Sequence, residues 1–379
     1  DADWRLLRRR LLPVKLPRFR RRYAPAPPPS PRHPPQKTEA LWRPPPPPQI
    51  RARRSSSSSA APPATLAPAS CCELKVSVTF DQSFDRIPHP DAALEESISE
   101  IWNQRLQRNQ SLYNGTKFRL LNPYHYKMVA GICFTALIKY DNPSFDHNHK
   151  FQYGGSALHY KDDSKQEYCV SLHLGLTDYR TFVGTNLNPL WENFLVPSED
   201  DPVRCQHMSN PLGNGAIVET SDQKIIVLQR SHNVGEFPGY YVFPGGHSEP
   251  QEIGIMGHQT DEEKIAPLSE QVSQEMFEGI IREVVEETGV PASSLADPVF
   301  IGVSQREMNV RPTAFFFTKC DIDSSGVNEL YCKAQDGYES TKLYAVSVEE
   351  LRGMSQRMPG CHNGGFALYD LMRNAAKSL

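Results

Sequence analysis

The chain has 379 residues, 39% hydrophobic and 22% charged, with a net charge of −3, enough for two or three average domains. The charge is unevenly spread: residues 1–70 hold 15 Lys/Arg, three acidic residues and 17 of the 33 prolines, about +12, which leaves about −15 for the rest. That acidic remainder excludes the basic face a nucleic-acid binder needs. The longest apolar run, residues 128–138, is about half a bilayer span and excludes a membrane helix. The eight cysteines show neither CxxC nor Cys/His zinc spacing and read as free thiols of a reducing compartment.

Residues 1–72 read as a disordered Arg/Pro/Ser-rich leader, because the proline run at 44–48 and the serine run at 55–59 can bury no core. Three readings of it stay open. It is a passive or spurious leader; an organelle transit peptide; or an arm for SH3-type or nucleic-acid partners. The expected location is the cytoplasm, or a plastid or mitochondrion if the leader is a transit peptide. Order is expected from Leu74, where Leu74, Val76, Val78 and Phe80 alternate as in a strand. Over 92–107, Leu94, Ile98, Ile101, Trp102 and Leu106 recur at helical spacing. Lys117-Phe118-Arg119 is nearly repeated as Lys150-Phe151-Gln152, and the aromatic-rich stretch between fits neither flank. Residues 120–151 are therefore expected to be an insertion or a retained intron. If real, they form an exposed excursion from the N-terminal part, with an aggregation hazard at 129–138. Further strands are expected at 224–229, 240–243, 299–304, 313–319 and 343–348, and helices at 268–288 and 365–378. Gly289 suits the position just past the first of these helices. Strands followed by helices, with no internal repeat, predict an α/β layered domain.

The densest chemistry lies in Arg282-Glu283-Val284-Val285-Glu286-Glu287-Thr288-Gly289-Val290. At about 100° per residue, Glu283, Glu286 and Glu287 fall on one strip of helix and repel by a few tenths of a kcal/mol per pair. A hard divalent cation, Mg²⁺ or Mn²⁺, offsets that repulsion and prefers all-oxygen ligands. For the glutamates alone, a solvated acidic face is the alternative. Upstream, the segment Val242-Phe243-Pro244-Gly245-Gly246-His247-Ser248-Glu249-Pro250 is a strand running into a tight turn whose backbone can approach a ligand closely.

Together the two segments resemble the Nudix hydrolase box, Gly-x5-Glu-x7-Arg-Glu-U-x-Glu-Glu-x-Gly-U, where U is a bulky aliphatic residue. The second half matches at every fixed position, with Val284 and Val290 as the aliphatics, and the first half matches with Gly246 and Glu252. However, 29 residues rather than seven separate Glu252 from Arg282, so the box is split. The split resembles one branch of the superfamily, which includes the animal UDP-glucose pyrophosphatases and a plant counterpart. The likeness runs from about residue 73 to the C-terminus. It includes Trp102-Asn103-Gln104-Arg105-Leu106, Leu174-Gly175-Leu176-Thr177-Asp178-Tyr179-Arg180, Gly184-Thr185-Asn186 and Gln229-Arg230-Ser231.

The resemblance implies the α/β/α Nudix sandwich with a mixed sheet over 201–379, preceded by an N-terminal α+β substrate-binding subdomain over 73–200. It implies Glu283 and Glu287 as metal ligands, with Glu286 beside them acting through water. Glu275 pairs with Arg282 or supplies the outer acid that the insertion displaced, and Arg282 fixes the helix against the turn. Tyr113 and Tyr179 contact the nucleotide, Arg230 faces a phosphate, Gly235 offers a backbone contact, and His247 and Glu249 touch substrate. Glu307 is a candidate general base or extra metal ligand. Bland alternatives stay open: core packing for the tyrosines, a surface ion pair for Arg230, and a bond within its own turn for His247. Val242 stands where the animal enzymes have an aspartate. The implied reaction is divalent-metal-dependent hydrolysis of a nucleoside diphosphate derivative, UDP-glucose or a related UDP-sugar, to UMP and sugar 1-phosphate. The alternatives are an ADP-ribose or NADH-type substrate, and a non-catalytic nucleotide sensor on the same fold, which would be expected to lose the box glutamates. The expected partner is thus a nucleotide sugar, with no nucleic acid for the folded domain and no membrane. Oligomeric state is not constrained.

Overall fold

Three strands buried over most of their length, β5 (Gly213–Glu219), β6 (Ile225–Arg230) and β9 (Pro312–Lys319), form the middle of the larger of two sheets, as expected of strands covered on both faces. The computed structural model that shows them describes residues 75–110, 112–121, 136–140, 169–232, 234, 236–258, 262–332 and 340–378. The leader over 1–72, most of 120–151 and Gly235 lie outside these residues. Side chains along the three strands alternate between faces. Ala216, Val218, Ile226, Leu228, Ala314 and Phe316 enter one core cluster, and Ile217, Ile225, Val227 and Phe315 enter another. The first is covered by α4 (Glu262–Thr288), whose Val272, Met276, Ile280 and Val284 recur every fourth residue as one apolar stripe. The second is covered by α7 (Gly360–Ser378) through Phe366, Leu368 and Tyr369. Helix, sheet and helix make the α/β/α sandwich.

The remaining strands are β1 (Lys75–Phe80), β2 (Thr116–Leu121), β3 (Ala136–Tyr140), β4 (Cys169–Asp178), β7 (Tyr241–Val242), β8 (Val299–Arg306) and β10 (Ser340–Val346). The larger sheet runs β10-β6-β5-β9-β8-β3, with β7 on β6. It is mixed: β5 pairs parallel with β9, while β6, β8 and β10 pair antiparallel with their neighbours β5, β9 and β6. The smaller sheet runs β1-β4-β2. It is stitched to the larger one where Leu212 N donates to Phe118 O at 2.8 Å and Arg119 bridges to Pro211. β1 also rests on α4, with Phe80 N donating to Ser269 Oγ at 3.1 Å and Ser273 Oγ donating to Val76 O at 3.0 Å. Arg119 is fully buried and meets only backbone: its guanidinium donates to the carbonyls of Phe84, Cys205 and Met208. Burial pushes it down to about 10. Among the described residues no helix is long and apolar enough to cross a membrane.

Several expectations shift. α4 starts at Glu262 rather than at 268, with Pro267 inside it. The last helix starts at Gly360 rather than at 365. The one strand described within 120–151 is not an excursion from the N-terminal part. Ala136–Tyr140 pairs parallel with β8 and forms that edge of the larger sheet, because its backbone satisfies the groups β8 would otherwise leave open.

Candidate active site

The C-terminal turns of α4 meet the turn that follows β7. Glu283 and Glu287, one helical turn apart, both accept backbone hydrogens from it. Gly245 N donates to Glu287 Oε2 at 2.7 Å and His247 N to Glu283 Oε1 at 3.3 Å. This approach requires glycine. Gly245 has φ +151°, and a Cβ on it would lie 2.1 Å from the Asn214 carbonyl oxygen; one on Gly246 would lie 2.1 Å from Glu283 Oε1. On its other side the turn is tied to β5, with Asn214 N donating to Gly246 O at 2.9 Å and Ala216 N to Pro244 O at 2.7 Å. Arg282 does not bridge helix to turn as expected. It donates twice to Glu275, a 2% exposed carboxylate two turns earlier on the same helix, and that pairing raises its already high basicity.

A cleft of about 940 Å³ opens here, lined by Glu283 and Glu287 together with Lys117, Tyr179, Arg230 and Arg311. Lys117 is ion-paired with Glu249. Arg230 Nε donates to Glu236 O at 2.9 Å. The Glu236 carboxylate takes both Nη atoms of Arg306 at 3.1 Å on Oε1 and Nη1 of Arg311 at 3.0 Å on Oε2. Desolvation pushes this carboxyl up, but the two guanidiniums outweigh it and hold it below the usual carboxylate value. Arg311 Nη2 also reaches His247 Nε2 at 2.8 Å. Loss of hydration, then repulsion from Arg311 and Lys117, holds His247 well below the ordinary imidazole value. His362, whose Nδ1 accepts from Phe243 N at 3.2 Å, is held low for the same first reason and then by Arg230.

Among the described residues no three His, Cys, Asp or Glu side chains gather as a ready metal cage. Glu283 and Glu287 still fit a hard cation. Mg²⁺ is held by one or two carboxylates and keeps several waters, and the donors here are oxygen only.

The cleft gathers six of the expected residues: Tyr179, Arg230, His247, Glu249, Glu283 and Glu287. Tyr179 stands edge-on to Trp102 at 5.9 Å between centroids. Three others lie apart from it. Glu286 is exposed, about 100° round the helix from Glu287. Glu307 is exposed in the turn after β8. Tyr113 is 69% exposed, while its neighbours Asn109 and Leu112 line the cleft in its place. Val242 is a buried, apolar part of the wall. Sequence reasoning missed Glu236, Arg306 and Arg311. Each is a single charge at the end of a strand or in a loop, with no spacing to mark it. Lys117 was within reach, since it belongs to the repeated tripeptide.

The chain is 54% identical to Nudix hydrolase 9 of Arabidopsis thaliana over 314 residues, 82% of this chain and 90% of that one. It is 27% identical to the uridine diphosphate glucose pyrophosphatase NUDT22 of Homo sapiens over 281 residues, 73% of this chain and 80% of that one. No family model matches it. Among solved structures it is similar to a MutT protein from Methanosarcina mazei Go1, at 19% identity and a TM-score of 0.29, covering 43% of this chain and 94% of that one. It is also similar to a C. elegans Ap4A hydrolase, at 16% identity and a TM-score of 0.25, covering 44% and 96%. Overlaps this slight carry no weight beside the plant relative. At 54% identity across 82% of its length, the chain belongs to the Nudix hydrolases, a family of divalent-metal pyrophosphohydrolases.

Proposed function

We propose that the chain hydrolyses the phosphoanhydride of a UDP-sugar to UMP and a sugar 1-phosphate, with Mg²⁺ or Mn²⁺ held by Glu283 and Glu287. One observation carries this reading: a single cleft combines an oxygen-only carboxylate pair, the cations Lys117, Arg230 and Arg311, and the ring of Tyr179. A diphosphate needs its charge neutralised, and a base needs a flat partner. A divalent cation held by Glu283 and Glu287 would supply charge neutralisation at the phosphate oxygens and would acidify water. Lys117 and Arg230 hold non-bridging oxygens by charge-assisted hydrogen bonds. Tyr179, braced by Trp102, offers a stacking surface of the kind worth roughly 1–3 kcal/mol per base. The glycine turn keeps the backbone close to the diphosphate and is itself held in place by the two glutamates. Water oxygen bonds to one phosphorus, the bridging oxygen leaves with the other phosphate, and the protons of water go to solvent. The human relative, a uridine diphosphate glucose pyrophosphatase by name, supports the uridine and sugar assignments.

The full chain, given UDP-glucose and ADP-ribose with Mg²⁺ or Mn²⁺, is expected to release UMP and glucose 1-phosphate and to turn ADP-ribose over far more slowly. Glu283→Gln is expected to lower kcat roughly a hundredfold or more, the several kcal/mol of charge stabilisation that a cation supplies. Preference for ADP-ribose would sink the UDP-sugar reading. Unchanged turnover in Glu283→Gln would sink the metal assignment.

A further inference from the structure

His247 is held by two hydrogen bonds from two different elements. Its backbone N donates to Glu283 Oε1 on α4, and its ring Nε2 lies 2.8 Å from Arg311 Nη2 on the far side. A guanidinium has only donors to offer. Nε2 must therefore accept, so it carries no proton, and the hydrogen of the neutral ring sits on Nδ1. Nδ1 is thus the ring's one donor, and His247 is part of the cleft lining.

Arg311 is fixed on several sides at once. Nη1 is bonded to Glu236 Oε2 at 3.0 Å, and the guanidinium lies over the Phe182 ring, 5.3 Å from its centroid. The backbone of β5 comes close as well: a Cβ on Gly213 would sit 3.3 Å from Nη2. Glu236 is in turn held by Arg306 at 3.1 Å, and Arg306 lies over the Phe237 ring at 5.1 Å. Two guanidiniums share one carboxylate, which leaves one positive charge beside the imidazole.

We infer that Arg311, oriented by Glu236 and Arg306, is a positioning residue that fixes His247 in the Nδ1–H form and so gives the cleft a neutral, directed donor for a substrate phosphate oxygen. The other neutral form would leave the Nδ1 lone pair facing that oxygen and would repel it. The inference rests on the phosphoanhydride reading for the identity of the anion. The state of the ring follows from the hydrogen bonds alone.

The test is a long-range ¹H–¹⁵N correlation spectrum of the full chain with ¹⁵N-labelled histidine, the His247 signals being assigned by their loss in His247→Gln. The expected spectrum has Nδ1 protonated and Nε2 bare, with the Nδ1 signal moving when UMP is added. Arg311→Met is expected to mix the two tautomers and to lower kcat about tenfold, as loss of a histidine-orienting partner commonly does. Arg311→Lys, which keeps a donor, is expected to restore part of both. An Nε2–H ring or an imidazolium in the unaltered chain overturns the inference, whatever the variants do. An Arg311→Met spectrum matching that of the unaltered chain overturns it too. Failure of UDP-sugar turnover with Nδ1 protonated would remove the substrate reading and leave the ring state standing.

Discussion

One methyl group is enough to part the glutamate pair from its turn. A Cβ on Gly246 would lie 2.1 Å from Glu283 Oε1, so Gly246→Ala must push the carboxylate aside or open the turn. Mn²⁺ affinity by titration calorimetry is expected to fall about tenfold, a usual cost of disturbing what orients a ligand. Stability should change little, because Glu283 is only half-buried and can swing outward. Unchanged Mn²⁺ affinity in the variant would show that the carboxylate does not need its present place. Glu283 and Glu287 were legible in the sequence because i,i+4 spacing is arithmetic on a helix. Glu286 shows where that arithmetic stops. Three carboxylates share a strip on paper, but only the pair four residues apart meets the turn. Glu236, Arg306 and Arg311 had no such arithmetic. They come from the β6–β7 connection, the end of β8 and the residue just before β9, and only tertiary folding gathers them around one another.

At the scale of elements, α4 does two jobs. Its earlier turns carry β1 through Ser269 and Ser273, and its later turns carry the glutamates. Ile280, with no exposed surface, lies between the two. Ile280→Ala is expected to cost about 2–5 kcal/mol in a urea denaturation, the usual range for emptying a packed core site. A control lies in α6 (Val348–Met354), whose Ser347 and Glu350 form a reciprocal cap. Ser347→Ala is expected to lose about 1 kcal/mol and to keep full turnover, since no residue of α6 lines the cleft. Most of α4 was readable from its apolar stripe. Its first turn was not, because Pro267 reads as a helix beginning. β4 was readable and passed over: Val170, Leu172, Leu174 and Leu176 alternate with polar or small residues. β5 was harder, since Gly213, Asn214 and Gly215 dilute its pattern. Those small residues are there to let the Gly245 turn and the Arg311 guanidinium come close.

At the scale of the whole molecule, His247 and His362 make stability depend on pH. Both folded-state values lie below the ordinary 6.5, so the unfolded chain takes up protons first as pH falls. Their contribution is intact above about 6.5 and is lost below it, with a slope of up to about 1.4 kcal/mol per pH unit for each ring. The urea midpoint is expected to drop between pH 7.5 and 5.5, and His362→Gln to flatten that drop. Equal midpoints would mean that both rings protonate inside the fold. Sheet order was not legible at this scale, because β1 with β4 and β5 with β9 are pairings between distant segments that no local pattern announces. The split in the box has one more consequence. The two contacts that join turn to helix, Gly245 to Glu287 and His247 to Glu283, use none of the 29 residues between Glu252 and Arg282. Those residues instead supply the serines on which β1 docks. The added length and the smaller sheet are therefore coupled through those two hydrogen bonds. Genomes are expected to inherit them together, so that a lineage with an unsplit box also lacks the β1-β4-β2 sheet.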